Sequence, residues 1–176
     1  MKKNIIYFIL VFFFIAIFVL LYNGLEKVNV YIPEKIINKK IIEFSGKELY
    51  SNNIVEFDTL VSSNKLTIVN IWSSWCKPCR DEHKYLMKLK NHKNFNLVGI
   101  NYKDDPNNSK NFISKYGNPF SKILLDENGI ISINIGAYAV PETFIVNSER
   151  KILKKYIGPL TEKKFQEILS IGNEVN

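Results

Sequence analysis

The sequence predicts an α/β domain, a central mixed sheet flanked by helices, behind a single N-terminal transmembrane helix. Three observations carry this. Residues Ile5 to Tyr22 hold no charge, strand-like and helix-like apolar patterns alternate from residue 66 onward, and the chain closes on a hairpin pattern and one more helix. The 176 residues suit one domain of ordinary size plus a small addition. A mean hydropathy of −0.07 excludes a protein of many spans, and 46% hydrophobic residues exclude a disordered chain. Two cysteines cannot build a disulfide scaffold, but they can make one pair.

The apolar run comes first. At 1.5 Å per residue it spans roughly 27 Å, about the thickness of the bilayer's hydrocarbon. A buried core helix would carry a polar stripe, and a cleaved signal peptide would be shorter and end in small residues. Val19-Leu-Leu-Tyr-Asn23 offers no such cleavage site. The expected organisation is a cytoplasmic stub at 1–4, an uncleaved anchor at 5–25, a linker at 26–38 containing Pro33, and a folded domain at 39–176. Lys2, Lys3 and the amino terminus precede the span, whereas Glu26 and Lys27 cancel behind it. Positive charge stays on the cytoplasmic side, so the expected location is the bacterial inner membrane, single-pass, with the C-terminal domain in the periplasm. That compartment permits disulfides.

The formal charge is +7. Two of the 24 Lys and Arg and none of the 17 Asp and Glu precede residue 25, leaving 22 against 17, or +5, for the rest. Those lysines are scattered among acids, which reads as a solvated surface and gives no expectation of nucleic-acid binding.

Within the domain, Leu66-Thr-Ile-Val-Asn-Ile-Trp72 is a β-rich run that a strand covered on both faces would need. Cys79 to Asn91 has helical spacing, Phe95 to Tyr102 reads as a second strand, and Pro106-Asn-Asn-Ser109 opens a helix that stops at Gly117. Lys122-Ile-Leu-Leu125 runs into the turn signal Asp126-Glu-Asn-Gly129. Thr143 to Val146, the turn Asn147 to Arg150, and Lys151 to Ile157 form a hairpin, and Thr161 caps a last helix.

Both cysteines fall in Trp75-Cys76-Lys77-Pro78-Cys79, directly after the first strand and at the start of a helix. C-x-x-C in this place is the arrangement of a thiol–disulfide redox site. The nucleophile is a thiolate, and a helix N-terminus offers unpaired N–H groups and partial positive charge to stabilise it. Cys76 is placed to attack, and Cys79, one turn in, to resolve the mixed disulfide. Pro78 suits the first turn, where its missing N–H costs nothing. A zinc site would need two more ligands, and only His83 and His92 remain, on the same helix and poorly spaced. Covalent haem attachment needs His after the second cysteine, where Arg80 stands. A purely structural disulfide would close a loop too small to gain much entropy.

The stretch Ile68-Val-Asn-Ile-Trp-Ser-Ser-Trp-Cys-Lys-Pro-Cys79 resembles the thioredoxin superfamily, and within it the membrane-anchored thiol:disulfide interchange proteins of cytochrome c biogenesis, the DsbE/CcmG family. Arg80-Asp-Glu-His83, Gly99-Ile-Asn-Tyr-Lys-Asp-Asp105, Tyr116-Gly-Asn-Pro119 and Gly136-Ala-Tyr-Ala-Val-Pro-Glu-Thr-Phe144 carry the likeness through nearly the whole chain. It implies a thioredoxin-like fold with a redox-active Cys76–Cys79 disulfide and no further cofactor or metal. It implies that Pro141 is a cis-proline facing the cysteines, that Val140 pairs with an extended client, and that Trp75, Tyr138 and Glu142 line the same groove. Ala139-Val140 departs from the smaller residues usual before the proline. Thioredoxins proper carry an acid where Asn70 stands; the resemblance moves proton transfer to Glu82, while Arg80 and His83 read as surface residues.

The expected activity is reduction of disulfides in an apocytochrome c, or in a dithiol protein of cytochrome c maturation, with a membrane thiol reductase as electron donor. Two other readings are a general periplasmic disulfide oxidase and a non-catalytic module that holds apocytochrome.

Overall fold

The structure, a computed structural model, describes residues 2–26 and 36–174. The chain divides into two compact units, residues 1–32 and 33–176. The first unit contains helix α1, Lys2–Glu26, whose segment Asn4–Tyr22 is long and apolar enough to cross a membrane. Its large apolar side chains, from Ile5 to Tyr22, are exposed. It is a candidate transmembrane span. Most of the expected linker lies outside the described residues. Its last three residues already belong to the fold: Ile36 and Ile37 pack on the core, and the Asn38 N–H donates to the Ile152 carbonyl at 2.8 Å.

The second unit is built on a seven-stranded mixed sheet. In chain order its strands are β1 Ser45–Glu48, β2 Ile54–Glu56, β3 Leu66–Trp72, β4 Phe95–Tyr102, β5 Lys122–Asp126, β6 Glu142–Val146 and β7 Ile152–Ile157. Their spatial order is β2-β1-β5-β4-β3-β6-β7. Strands β3, β4 and β5 run parallel; β6 joins β3 antiparallel, with Asn70 opposite Thr143, and β7 follows antiparallel. At the other edge β1 pairs antiparallel with β5 and β2. The helices are α2 Lys77–Lys90, α3 Pro106–Tyr116, α4 Ile130–Asn134 and α5 Glu162–Glu174.

Strand β3 is buried at all seven positions, as its unbroken β-rich run requires. Its alternate residues feed two cores. Leu66, Ile68 and Trp72 meet Leu86 and Leu89 of α2, Phe112 of α3 and Phe165 of α5. Val69 and Ile71 meet Phe57, Ile135 and Phe144 on the other face. Two parallel strands, the helices that follow them and the closing hairpin thus stand where the periodicities place them.

Strands β1 and β2 and helix α4 carry no signal of that kind. Ser-Gly-Lys-Glu in β1 buries only Gly46 and Glu48, so it lacks an apolar face to read. Helix α4 has five residues, and its amides are held from a distance: Asp126 accepts from the Ile131 and Ser132 N–H groups at 3.1 and 2.8 Å.

Glycine is required in the middle of β4. A Cβ on Gly99 would lie 2.8 Å from the Trp72 indole nitrogen and 3.0 Å from the Phe120 ring, inside a stacked pair of rings. Gly99→Ala should therefore cost about 1–3 kcal/mol by overpacking, read as a lower urea midpoint with an unchanged slope.

Candidate active site

Cys76 and Cys79 are joined by a disulfide at the mouth of α2, with their Cα atoms 5.3 Å apart. Cys76 is the N-cap residue, in extended conformation, and its sulfur accepts the Cys79 N–H at 3.1 Å. Pro78 occupies the first turn. The amide that the helix leaves unpaired is thus aimed at the sulfur of Cys76, where a thiolate forms on reduction. Exposure separates the two cysteines only slightly, 4% for Cys76 and 2% for Cys79; their difference lies in position along the helix. Trp75 beside them is 58% exposed, and its Nε1–H donates to the Lys103 carbonyl.

The Val140–Pro141 peptide is cis. Pro141 is buried and leads into β6, while Val140 is half-buried against the cluster that contains both cysteines. Tyr138 is 64% exposed. Trp75, Tyr138 and Val140 therefore each reach solvent.

Glu142 does not. Expected in the groove, it is buried at 1% and turned inward, where Oε1 accepts the Tyr138 and Ala139 N–H groups, each at 3.1 Å, and Oε2 lies 2.6 Å from the Lys155 ammonium. Lys155 also donates to the Gly136 carbonyl at 2.8 Å. The pair ties both ends of the 136–142 loop to β7, so Glu142 holds the loop from beneath. The spacing of Glu142 and Lys155 hid this link, because a lysine in a strand normally reads as solvent-facing.

Glu82 lies on α2 three residues after Cys79, on the same helical face. It is fully buried. Oε1 accepts from Asn70 Nδ2 at 2.8 Å and Oε2 from the Leu160 N–H at 2.7 Å; Asn70 Nδ2 also reaches Thr143 Oγ1 at 3.0 Å. Burial outweighs these bonds and the nearby Lys164, and pushes the carboxyl up to about 7. The neutral Asn70 thus serves as a ligand of the acid on the adjacent helix.

The raised Glu82 has a stability consequence of definite sign. The folded protein holds this proton more tightly than the unfolded chain, so its contribution is full below the ordinary carboxylate range and is lost as pH rises through about 7. His83 opposes it in part. Burial holds that imidazole below its ordinary value, which favours the fold as pH rises. The difference between wild type and Glu82→Gln isolates the acid: urea midpoints at pH 5 and pH 8 should draw apart in wild type in the direction of lower stability at pH 8, relative to the variant.

His83 departs from its expected surface position. It is 6% exposed, its Nε2 lies 3.0 Å from the Gly117 carbonyl, and the Phe112 ring meets it edge-on. Two aromatic neighbours on α3, Phe112 and Tyr116, explain the burial of a residue whose charged flanks make it look solvated. Arg80 is exposed, over the Tyr116 ring. His92 lies beyond the last residue of α2. Among the described residues no cluster of His, Cys, Asp or Glu has the arrangement of a metal site.

A mixed sheet with a C-x-x-C pair capping the helix after a central strand, and a cis-proline entering the next strand, defines a thioredoxin-like thiol:disulfide oxidoreductase. The Redoxin family model matches residues 38–170, and the probable thiol:disulfide interchange protein DsbE-2 of Pasteurella multocida is 31% identical over 95% of this chain and 87% of its own length. The chain belongs to the DsbE/CcmG family of thiol:disulfide interchange proteins. The thiol:disulfide interchange protein CycY of Rhizobium leguminosarum bv. viciae is 44% identical over a shorter segment, 58% of this chain and 55% of that protein. Among solved structures, the thioredoxin domain of a Bacteroides vulgatus thiol-disulfide oxidoreductase superposes with a TM-score of 0.66 at 19% identity, covering 78% of this chain and 98% of the other, a likeness of fold.

Proposed function

We propose that this protein is a reductant of protein disulfides in the periplasm, anchored in the bacterial inner membrane by α1. The capping of α2 by Cys76, with the Cys79 amide on its sulfur, carries this reading. In the reduced protein the Cys76 thiolate attacks one sulfur of a client disulfide, forming a mixed disulfide and releasing one client thiolate. Cys79, deprotonated, then attacks Cys76 Sγ, and the second client thiolate leaves as the Cys76–Cys79 disulfide forms. Two electrons pass to the client, and its two thiolates take up protons. Glu82, close to neutrality and one turn beyond Cys79, is suited to receive the Cys79 proton. Trp75, Tyr138 and Val140, with the cis-Pro141 backbone, form the client's groove.

The family supports a client in cytochrome c maturation: the haem-binding C-x-x-C-H segment of an apocytochrome c, or a dithiol protein of the same pathway. A membrane thiol reductase restores the thiols, and no further cofactor enters the cycle. Anchoring raises the effective concentration of membrane-bound partners. The test is thiol counting after mixing the reduced full-length protein with the disulfide form of a C-x-x-C-H peptide. The peptide should gain two thiols, and Cys76→Ala should abolish the transfer. Cytochrome c maturation that survives Cys76→Ala would overturn this reading in favour of a holding module.

A further inference from the structure

We propose that Asp104 is a positioning residue for the reactive turn, holding Ser73–Trp75 so that Cys76 stays at the mouth of α2 in its attacking geometry. This rests on the reading of Cys76 as the attacking thiol. The Asp104 carboxylate receives two bonds from Ser74, the backbone N–H to Oδ2 at 2.5 Å and the hydroxyl to Oδ1 at 2.8 Å. The carboxylate is itself held. Asn101 Nδ2 donates to Oδ2 at 3.1 Å, and the Ser109 hydroxyl stands 2.9 Å from Oδ2 and 2.7 Å from Asn101 Oδ1. Asn101 and Ser109 are both buried.

The residues on either side of Ser74 make parallel links. The Ser73 hydroxyl donates to the Tyr102 carbonyl at 2.5 Å, and the Trp75 indole to the Lys103 carbonyl at 3.1 Å. Three consecutive residues before Cys76 are thus bound to three consecutive residues at the end of β4, Tyr102 to Asp104. Lys103 adopts φ +44°, a left-handed conformation unfavourable for a lysine. Such a conformation persists where its surroundings over-determine it, and here it turns Asp104 back over Ser74. Asp104 supplies the one charged acceptor of the set, the other two acceptors being backbone carbonyls, and hydrogen bonds to a carboxylate are roughly twice as strong as neutral ones.

The consequence falls on Cys76. Its sulfur meets the Cys79 N–H only while the entry to α2 keeps the N-cap conformation, φ −83° and ψ 109°. A loosened turn withdraws the thiolate from that donor and from the helix N-terminus, so Cys76 ionises at higher pH. Simple loss of a negative charge would act in the opposite direction. The two effects therefore carry different signs.

The experiment measures iodoacetamide alkylation of the reduced full-length protein in detergent as a function of pH, with the labelled cysteine identified by mass spectrometry. Asp104→Ala should raise the midpoint for Cys76 by about one pH unit, an alkylation rate about tenfold lower below the midpoint. Asp104→Asn should remain near wild type, because its carbonyl still accepts the Ser74 N–H and its amide can donate to the Ser74 hydroxyl. Ser74→Ala, which removes one of the two bonds, should shift the midpoint less and in the same direction as Asp104→Ala. A lowered midpoint in both Asp104 variants would overturn the proposal in favour of a charge effect alone. An unchanged midpoint with a lower melting temperature would overturn it in favour of a role in folding alone. Should Asp104→Ala fail to fold, an unchanged Ser74→Ala midpoint would do the same. Label arriving first on Cys79 in wild type would sink the attacking-thiol reading, and the proposal with it.

Discussion

Cys79→Ser is expected to stop turnover after the first half of the reaction and leave clients attached to Cys76. Attack by Cys76 needs only its own thiolate and the helix N-terminus, neither of which the serine removes. Release needs a second thiolate one turn into α2. A serine hydroxyl at that place cannot supply it, because it stays protonated near neutral pH. The mixed disulfide should therefore become the dominant species when the reduced variant meets a client disulfide, and mass spectrometry should find the adduct on Cys76. Cys76→Ser should form none. The same trap, applied in the membrane of a cell that makes cytochromes c, names the client directly.

Lys155→Met is expected to cost about 3–5 kcal/mol, because it removes one member of a buried ion pair and leaves the other's charge uncompensated. The side chains of Lys155 and Glu142 are 0% and 1% exposed. Water cannot replace the lost ammonium, and the Glu142 carboxylate cannot turn outward without dropping the Tyr138 and Ala139 amides. Adding Glu142→Gln should recover part of the loss. The glutamine oxygen still accepts those two amides, while its neutral head no longer needs a cation. Denaturation of the single and double variants gives the coupling between them. Because the pair holds the loop that leads to Pro141, the single variant should also bind clients more weakly, seen as a raised KM with a smaller change in kcat.

These two predictions draw on parts of the molecule that were unequally legible. Cys76, Cys79 and Pro141 could be read because each has a local reason to stand where it does: a helix mouth after a buried strand, and a loop motif before another strand. β3 and β4 have the boundaries that their apolar runs suggest. Glu142, by contrast, reads as a groove residue from the loop motif it shares with Tyr138 and Pro141, yet its place is decided by a lysine thirteen residues on in the adjacent strand. Asp104 and Ser74 meet across thirty residues through the parallel pairing of β3 and β4. His83 is buried by rings from another helix. Polar and charged residues that become buried do so through tertiary partners, and their own flanking sequence resembles that of a solvated face. Short edge strands such as β1 are hidden for a related reason: backbone pairing holds them, and their side chains say little.

The central claim is that the Cys76–Cys79 pair works as a reductant, and its redox equilibrium with glutathione tests this most directly. The full-length protein, equilibrated in defined glutathione buffers and quenched with an alkylating reagent, should give a midpoint on the reducing side of about −180 mV. Its reduced form should open client disulfides. A midpoint near about −120 mV, with reduced clients gaining disulfides from the oxidised protein, would contradict the account and make the protein an oxidase.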